Sequence, residues 1–264
     1  MALWHNVVAF FHLIVIFHHA IVIHYDFIYI SPIEINARNF SFGGRLIYLS
    51  VWNMFIQLIY FIMAFINDFI EAKDTHTISY SSHFSLIKNY VFTALAFPLA
   101  LNVSAMFWLL YFIDRDLVTS KELQEVTPEW YTHMMRTNIM IFVVIEMICT
   151  TRKYPKHLWA LFGLISFLLT YLSWTVVIYQ VTGHWVHPIF NKFNWPQRIG
   201  FYGFNIFVPI TFYFIGDLIN WQIMEHRIKK TKVFKRKRSQ KGVSNNRSNQ
   251  PDLISQNLEH TTEV

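Results

Sequence analysis

The stretch LIYLSVWNMFIQLIYFIMAFI, from Leu46 to Ile66, carries no charged residue over 21 positions and is long enough to cross a bilayer as a helix. It is not uniformly apolar, because Ser50, Asn53 and Gln57 interrupt it. At about 100° per residue, Asn53 and Gln57 fall within roughly 60° of Ser50, so a polar stripe runs down one side. Hydrocarbon penalises an unpartnered polar side chain, so the stripe faces inward and the remaining surface faces lipid. Two roles fit it. Ser, Asn and Gln act as interhelical hydrogen-bonding glue in membranes; alternatively, Ser50 is a nucleophile near the mouth of a polar cavity.

The rest of the chain has the same character. Of its 264 residues, 54% are hydrophobic and 18% aromatic, and only 14% are charged. Soluble domains carry about a quarter charged residues. The net charge of +6 does not imply nucleic acid, because nine Lys and Arg fall within the seventeen residues from Glu225 to Lys241. Basic clusters just after an apolar span anchor the cytoplasmic side against anionic lipid. A single cysteine, Cys149, excludes an intrachain disulfide and a four-cysteine metal site, and reads as a buried apolar thiol. The amino terminus lacks the basic region and cleavage site of a signal peptide and reads as an uncleaved first span.

Working outward from the quoted stretch gives six spans: Val7–Ile30, Leu46–Ile66, Tyr90–Ile113, about Trp130–Cys149, Leu158–Val181 and Ile199–Ile223. The fold class is all-α, a polytopic membrane protein with six transmembrane helices over residues 1–227 and a basic, then polar, disordered tail over 228–264. Ser31-Pro32 is expected to end the first span, and Pro98 to kink the third. Asn39-Phe40-Ser41 fits a glycosylation sequon close to the membrane. Six spans place both termini on one side, and the two strongest basic blocks, the tail and Arg152–Lys156, then share the cytoplasmic face.

His5, His12 and His19 recur every seven residues on one helix face. A metal or haem pair needs nitrogens converging from neighbouring elements, which one stripe does not provide. They read as neutral hydrogen-bonding or interfacial histidines, and neither a cofactor nor a metal is expected. Paired mid-membrane charges and inverted repeats of a transporter are not evident.

With this topology Ser50 lies about 6 Å into the second span at 1.5 Å per residue. His133 and Arg136 enter the fourth span at the same face, and His184 and His187 reach it from the loop after the fifth. Glu146 and Asp217 lie roughly 15 Å or more deeper, so no Ser-His-Asp triad can be read. Each group also has a plainer role. Arg136 could snorkel toward headgroups, His133 could form an interface anchor with Trp130, and Glu146 could pair with Arg152.

GGRLIYLSVWNMFIQ from Gly43, LAFP from Leu95, DRDL from Asp114, PEWYTHMMRT from Pro128, IEM from Ile145, Tyr154-Pro155 and TGHWVHP from Thr182 occur in this order. Together they resemble the androgen-induced protein and androgen-dependent TFPI-regulating protein family. The resemblance implies a multi-pass membrane hydrolase of fatty acid esters of hydroxy fatty acids, in the endoplasmic reticulum or plasma membrane. It implies a threonine nucleophile where this chain has Ser50, and a catalytic histidine where it has Arg136. His133 stands at the first histidine of that motif, and His187 replaces a tyrosine. Guanidinium has no lone pair to accept a proton, so Arg136 fits a substrate carboxylate or an oxyanion but not a base. The expected catalytic set is Ser50, His133 and Arg136, with His187, His184, Asn53 and Gln57 as possible base or substrate contacts. The alternative is an inactive relative that binds lipid or regulates other proteins.

Overall fold

The computed structural model describes residues 2–38, 42–73, 83–118, 124 and 127–248. The sequon at Asn39 lies outside them. Among the described residues six helices are long and apolar enough to cross a membrane: Leu3–Asn36, Leu49–Ile70, His83–Ile113, Glu129–Cys149, His157–Thr182 and Trp195–Thr231. Among the described residues there is no strand, and the chain is an all-α, multi-pass membrane protein. The helices expose Phe10, Phe112, Leu158 and Phe207, apolar surface that water would not tolerate and lipid requires.

The span ends differ from expectation in informative ways. The first helix, α1 (Ala2–Tyr25), does not stop at Ser31-Pro32. It passes through a π turn, Asp26–Ile30, into α2 (Ser31–Arg38), with the Ser31 N–H bonded to the Asp26 carbonyl. Proline lacks an N–H and its ring crowds the preceding turn; the widened turn takes up that conflict, and the helix continues.

The second span starts later than expected. Gly43 and Gly44 have φ of 79° and 47°, and a 3₁₀ turn over Gly44–Ile47 leads into α3 (Leu49–Lys73). A Cβ on Gly43 would lie 2.7 Å from Ile47 Cγ2, so this reversal needs glycine on two counts. Ser50 therefore sits in the first turn of α3 rather than a turn inside it. The third span begins at α4 (His83–Tyr90), crosses a π stretch Val91–Ala96 and continues as α5 (Phe97–Ile113), whose Pro98 follows that stretch directly. The fourth consists of α6 (Glu129–Arg136) and α7 (Asn138–Cys149), joined at Thr137. Helix α8 (His157–Thr182), the short α9 (Ile189–Lys192) and α10 (Trp195–Ser248) complete the chain.

Two compact units result, Met1–Asn220 and Trp221–Val264. The described part of the second is helical to Ser248, into the basic stretch read from sequence as unstructured, with Lys229 paired to Glu225 one turn earlier at 2.7 Å. In the first unit α1 packs along α3. Val22, Met54, Val103, Met135 and Ile139 fill the core between α1, α3, α5, α6 and α7.

The seven-residue histidine stripe faces that core rather than the interface. His12 lies between two carboxylates, with Nδ1 2.7 Å from Asp68 and Nε2 2.9 Å from Glu146. For His12 this departs from the reading of a neutral or interfacial ring, since only imidazolium has a donor for a carboxylate at each nitrogen, whereas His19 keeps the expected hydrogen-bonding role through the Val15 carbonyl. Glu146 also accepts from the Tyr60 hydroxyl at 2.5 Å, Thr150 at 2.9 Å and Arg152 at 3.1 Å, so the expected Glu146–Arg152 pair forms. At the opposite end of α1, Asp26 takes the Arg45 guanidinium at 2.6 Å, and Glu34 and Tyr131 close around the same pair.

Candidate functional site

A cavity of about 110 Å³ opens beside the first turn of α3. Ser50, Arg136 and His187 all line it, brought from α3, the end of α6 and the loop after α8. Asn102 and Phe107 of α5 and Tyr171 of α8 complete the nearby wall.

Each group is held by local structure. The first N–H groups of a helix lack intrahelical acceptors, so the start of α3 offers a donor-rich, positive pole beside Ser50. The Tyr171 hydroxyl steadies the approach to that turn by donating to the Ile47 carbonyl at 3.1 Å. The Arg136 backbone carbonyl accepts from Ser104, and its guanidinium lies 3.9 Å from the Phe107 ring centre. Among the described residues Arg136 has no carboxylate partner, unlike Arg45 and Arg152. A cation on an aromatic wall with no counter-ion is a natural receptor for an anionic group.

His187 owes its place to the loop. Gly183, at φ 72°, ends α8 with a left-handed cap, its N–H bonded to the Tyr179 carbonyl at 2.8 Å. Trp185 then stacks on Tyr179 at 3.9 Å, and the Arg198 guanidinium lies 4.7 Å from the indole. Val186 is buried against Ile47 and Ile178, which fixes the turn that puts His187 in the cavity, 5.9 Å from the Tyr48 ring. Burial, and then the nearby Arg136 charge, push the His187 pKa down to about 4, so the imidazole is neutral at pH 7 and keeps a lone pair.

The remaining expected residues lie elsewhere. His133 is exposed, with its ring 5.3 Å from that of Trp108 and Nδ1 3.1 Å from the Thr137 hydroxyl. It lines a separate, more polar cavity on the other side of Arg136, and does not line the Ser50 cavity. One turn of helix separates it from Arg136, which lines both cavities, whereas His133 reaches only the second. His184 bonds the Thr182 carbonyl at 2.7 Å on the exposed side of the loop. Asn53 and Gln57 are fully buried below Ser50 and do not line the cavity. Asn102 was missed in the sequence reading; its only signal there is a lone amide within an uncharged apolar span.

Comparison with known proteins agrees with the resemblance carried by the motifs. The family model described as FAR-17a/AIG1-like protein matches residues 7–221. An androgen-dependent TFPI-regulating protein of Mesocricetus auratus is 30% identical over 187 residues, covering 69% of this chain and 78% of that one. Its Homo sapiens counterpart is 28% identical over 203 residues, 75% and 87% of the two chains. The androgen-induced gene 1 protein of Homo sapiens is 26% identical over 185 residues, 68% and 78% of the two chains. No solved structure matches. With a model match along nearly all of the membrane bundle, and relatives covered over most of their length, the chain belongs to the FAR-17a/AIG1-like family.

Proposed function

We propose that this protein hydrolyses fatty acid esters of hydroxy fatty acids, with Ser50 as nucleophile, His187 as base and Arg136 as the seat of the substrate carboxylate. One observation carries the reading: a hydroxyl, a neutral imidazole and an unpaired guanidinium share one cavity. Ser50 Oγ attacks the ester carbonyl while its proton passes to His187. Negative charge gathers on the carbonyl oxygen beside the N-terminal pole of α3. Collapse expels the alcohol, which takes the proton from His187, and leaves the acyl group on Ser50. Water then attacks the acyl carbonyl, giving up a proton that returns to the serine, and the acid leaves. At about 110 Å³ the cavity is smaller than the several hundred that a drug-sized ligand fills, so it suits the reacting end of a lipid whose tails stay in the bilayer.

Arg136 also tunes the base in this scheme. Its charge disfavours imidazolium at His187, and a bound carboxylate cancels that charge. His187 thus becomes a stronger base when the anionic substrate is seated. Both termini face the cytoplasm, and the basic helix after the sixth span rests on anionic lipid.

A second reading, an inactive lipid-binding or regulatory relative, is favoured by Arg136 at the family's histidine position and by His133 outside the Ser50 cavity. Purified protein should label with a fluorophosphonate probe, and Ser50→Ala should abolish both labelling and hydrolysis. Arg136→His separates the two readings. It lowers hydrolysis of carboxylate-bearing esters if Arg136 belongs to a working site, and raises it from background if the natural chain lost its base.

A further inference from the structure

The polar stripe of α3 continues below the cavity. Asn53 and Gln57 are 0% exposed; neither polar atom of the Asn53 side chain has a hydrogen-bond partner, and the Gln57 amide has only a weak contact with His19. Gln57 lies beside His19 of α1, also 0% exposed. His19 Nδ1 is committed to the Val15 carbonyl at 2.8 Å, which leaves Nε2 as an acceptor with only the weak Gln57 contact. Across the bundle Asn102 is 1% exposed with an unpartnered Oδ1, and it lines the cavity that holds Ser50. Asn53 and Gln57 lie about 4.5 and 10.5 Å along the axis from Ser50, on the same face.

Each such atom left dry carries the full penalty of its lost hydration, and buried water relieves that cost by making about three hydrogen bonds apiece. The stretch has a definite end. Phe61 packs against both His19, at 6.0 Å, and His12, at 5.8 Å, and Phe11 closes on it at 6.0 Å. That aromatic layer separates the unpartnered groups from the His12–Glu146 cluster. At its other end the stripe reaches Ser50, which lines the cavity.

We propose that Asn53, Gln57, His19 and Asn102 bind a short file of water in the interior of the bundle, continuous with the Ser50 cavity. Resting on the hydrolase reading above, this file supplies the water that attacks the acyl-serine. A lipid seated in the cavity obstructs the outer route, whereas the polar stripe approaches Ser50 from within. Asn53 and Gln57 are then positioning residues for the second reactant and have no part in attack on the ester.

Millisecond hydroxyl-radical footprinting of the purified protein in lipid nanodiscs tests the water site without reference to activity. Radicals form at bound water and mark adjacent side chains, buried or not. Met54, 0% exposed and one turn from Gln57, should label at least five-fold faster than Met147, which is 1% exposed beside the satisfied cluster. Asn53→Leu with Gln57→Leu should bring the Met54 rate down to that of Met147. Equal rates for the two methionines in the wild-type protein overturn the proposal even if the double variant fails to fold. The supply role has its own readout. In the double variant, fluorophosphonate labelling should persist while steady ester turnover falls about ten-fold behind a stoichiometric burst of alcohol; unchanged turnover overturns that role. Fast Met54 labelling in a protein that neither binds the probe nor cleaves esters would leave the water site standing and remove the hydrolase reading.

Discussion

The two ends of the α1–α3 interface differ in how far their buried polar groups are paired. Toward the start of α1, His12, Asp68, Glu146, Tyr60 and Arg152 bond one another, and Glu146 alone accepts from four side chains. Toward the start of α3 the Arg45, Asp26 and Glu34 set is also paired, but beside it Arg136 has no counter-ion among the described residues, Asn53 has no hydrogen-bond partner and Gln57 has only a weak contact with His19. Both sets are costly to bury. Where partners are nearly complete, with Arg152 Nε the exception, most of the cost is offset within the chain and the cluster ties α1, α3 and α7 together. Where they are missing, something outside the chain must complete them. Satisfaction, not the mere presence of ionisable groups, distinguishes the structural groups from those left to bind.

Substitutions should divide along the same line. Glu146→Ala strands Arg152 as a buried cation and leaves His12 with Asp68 alone, and breaking such a pair costs about 3–5 kcal/mol. Thermal unfolding in detergent should therefore shift sharply downward, whereas Ser50→Ala should leave it nearly unchanged. Similar losses from both would erase the contrast. His187→Asn keeps a polar side chain but removes the base, so turnover should fall about 10²–10⁴-fold with little change in melting.

A smaller effect concerns pH. Neutral His187 is the active form, so kcat/KM should fall as pH drops through its depressed pKa of about 4. Arg136→Gln removes the neighbouring positive charge, which makes the imidazolium easier to form. The acid limb should then move upward, though short of the ordinary 6.5 because burial, the larger cause, remains. A limb that stays in place would detach Arg136 from the base. His133→Ala should change turnover least, less than about two-fold, since its ring lies against Trp108 in the other cavity. A large loss there would move the base from His187 to His133.

The order and number of the spans were legible in the chain because uncharged runs of about twenty residues have few alternatives in a membrane. The Glu146–Arg152 pair was equally legible, being close in sequence and at one level. The histidine stripe was visible as a period, but its meaning was not: the partners of His12 come from residues 56 and 134 positions away. His133 and Arg136 show the same limit at short range. Depth along a helix follows from counting, but which cavity a side chain enters depends on what packs on each side.

The amino-acid sequence by itself determined a membrane bundle of six helices, its family, and the residue types available for chemistry, because hydropathy and local motifs act over short stretches. Only the tertiary structure decided that Ser50 opens α3 instead of lying within it, that His187 and not His133 shares its cavity, and which buried polar groups find partners. These outcomes depend on the glycine turn at Gly43, the Trp185 stack and the meeting of distant helices, and no local pattern encodes which side chains will meet.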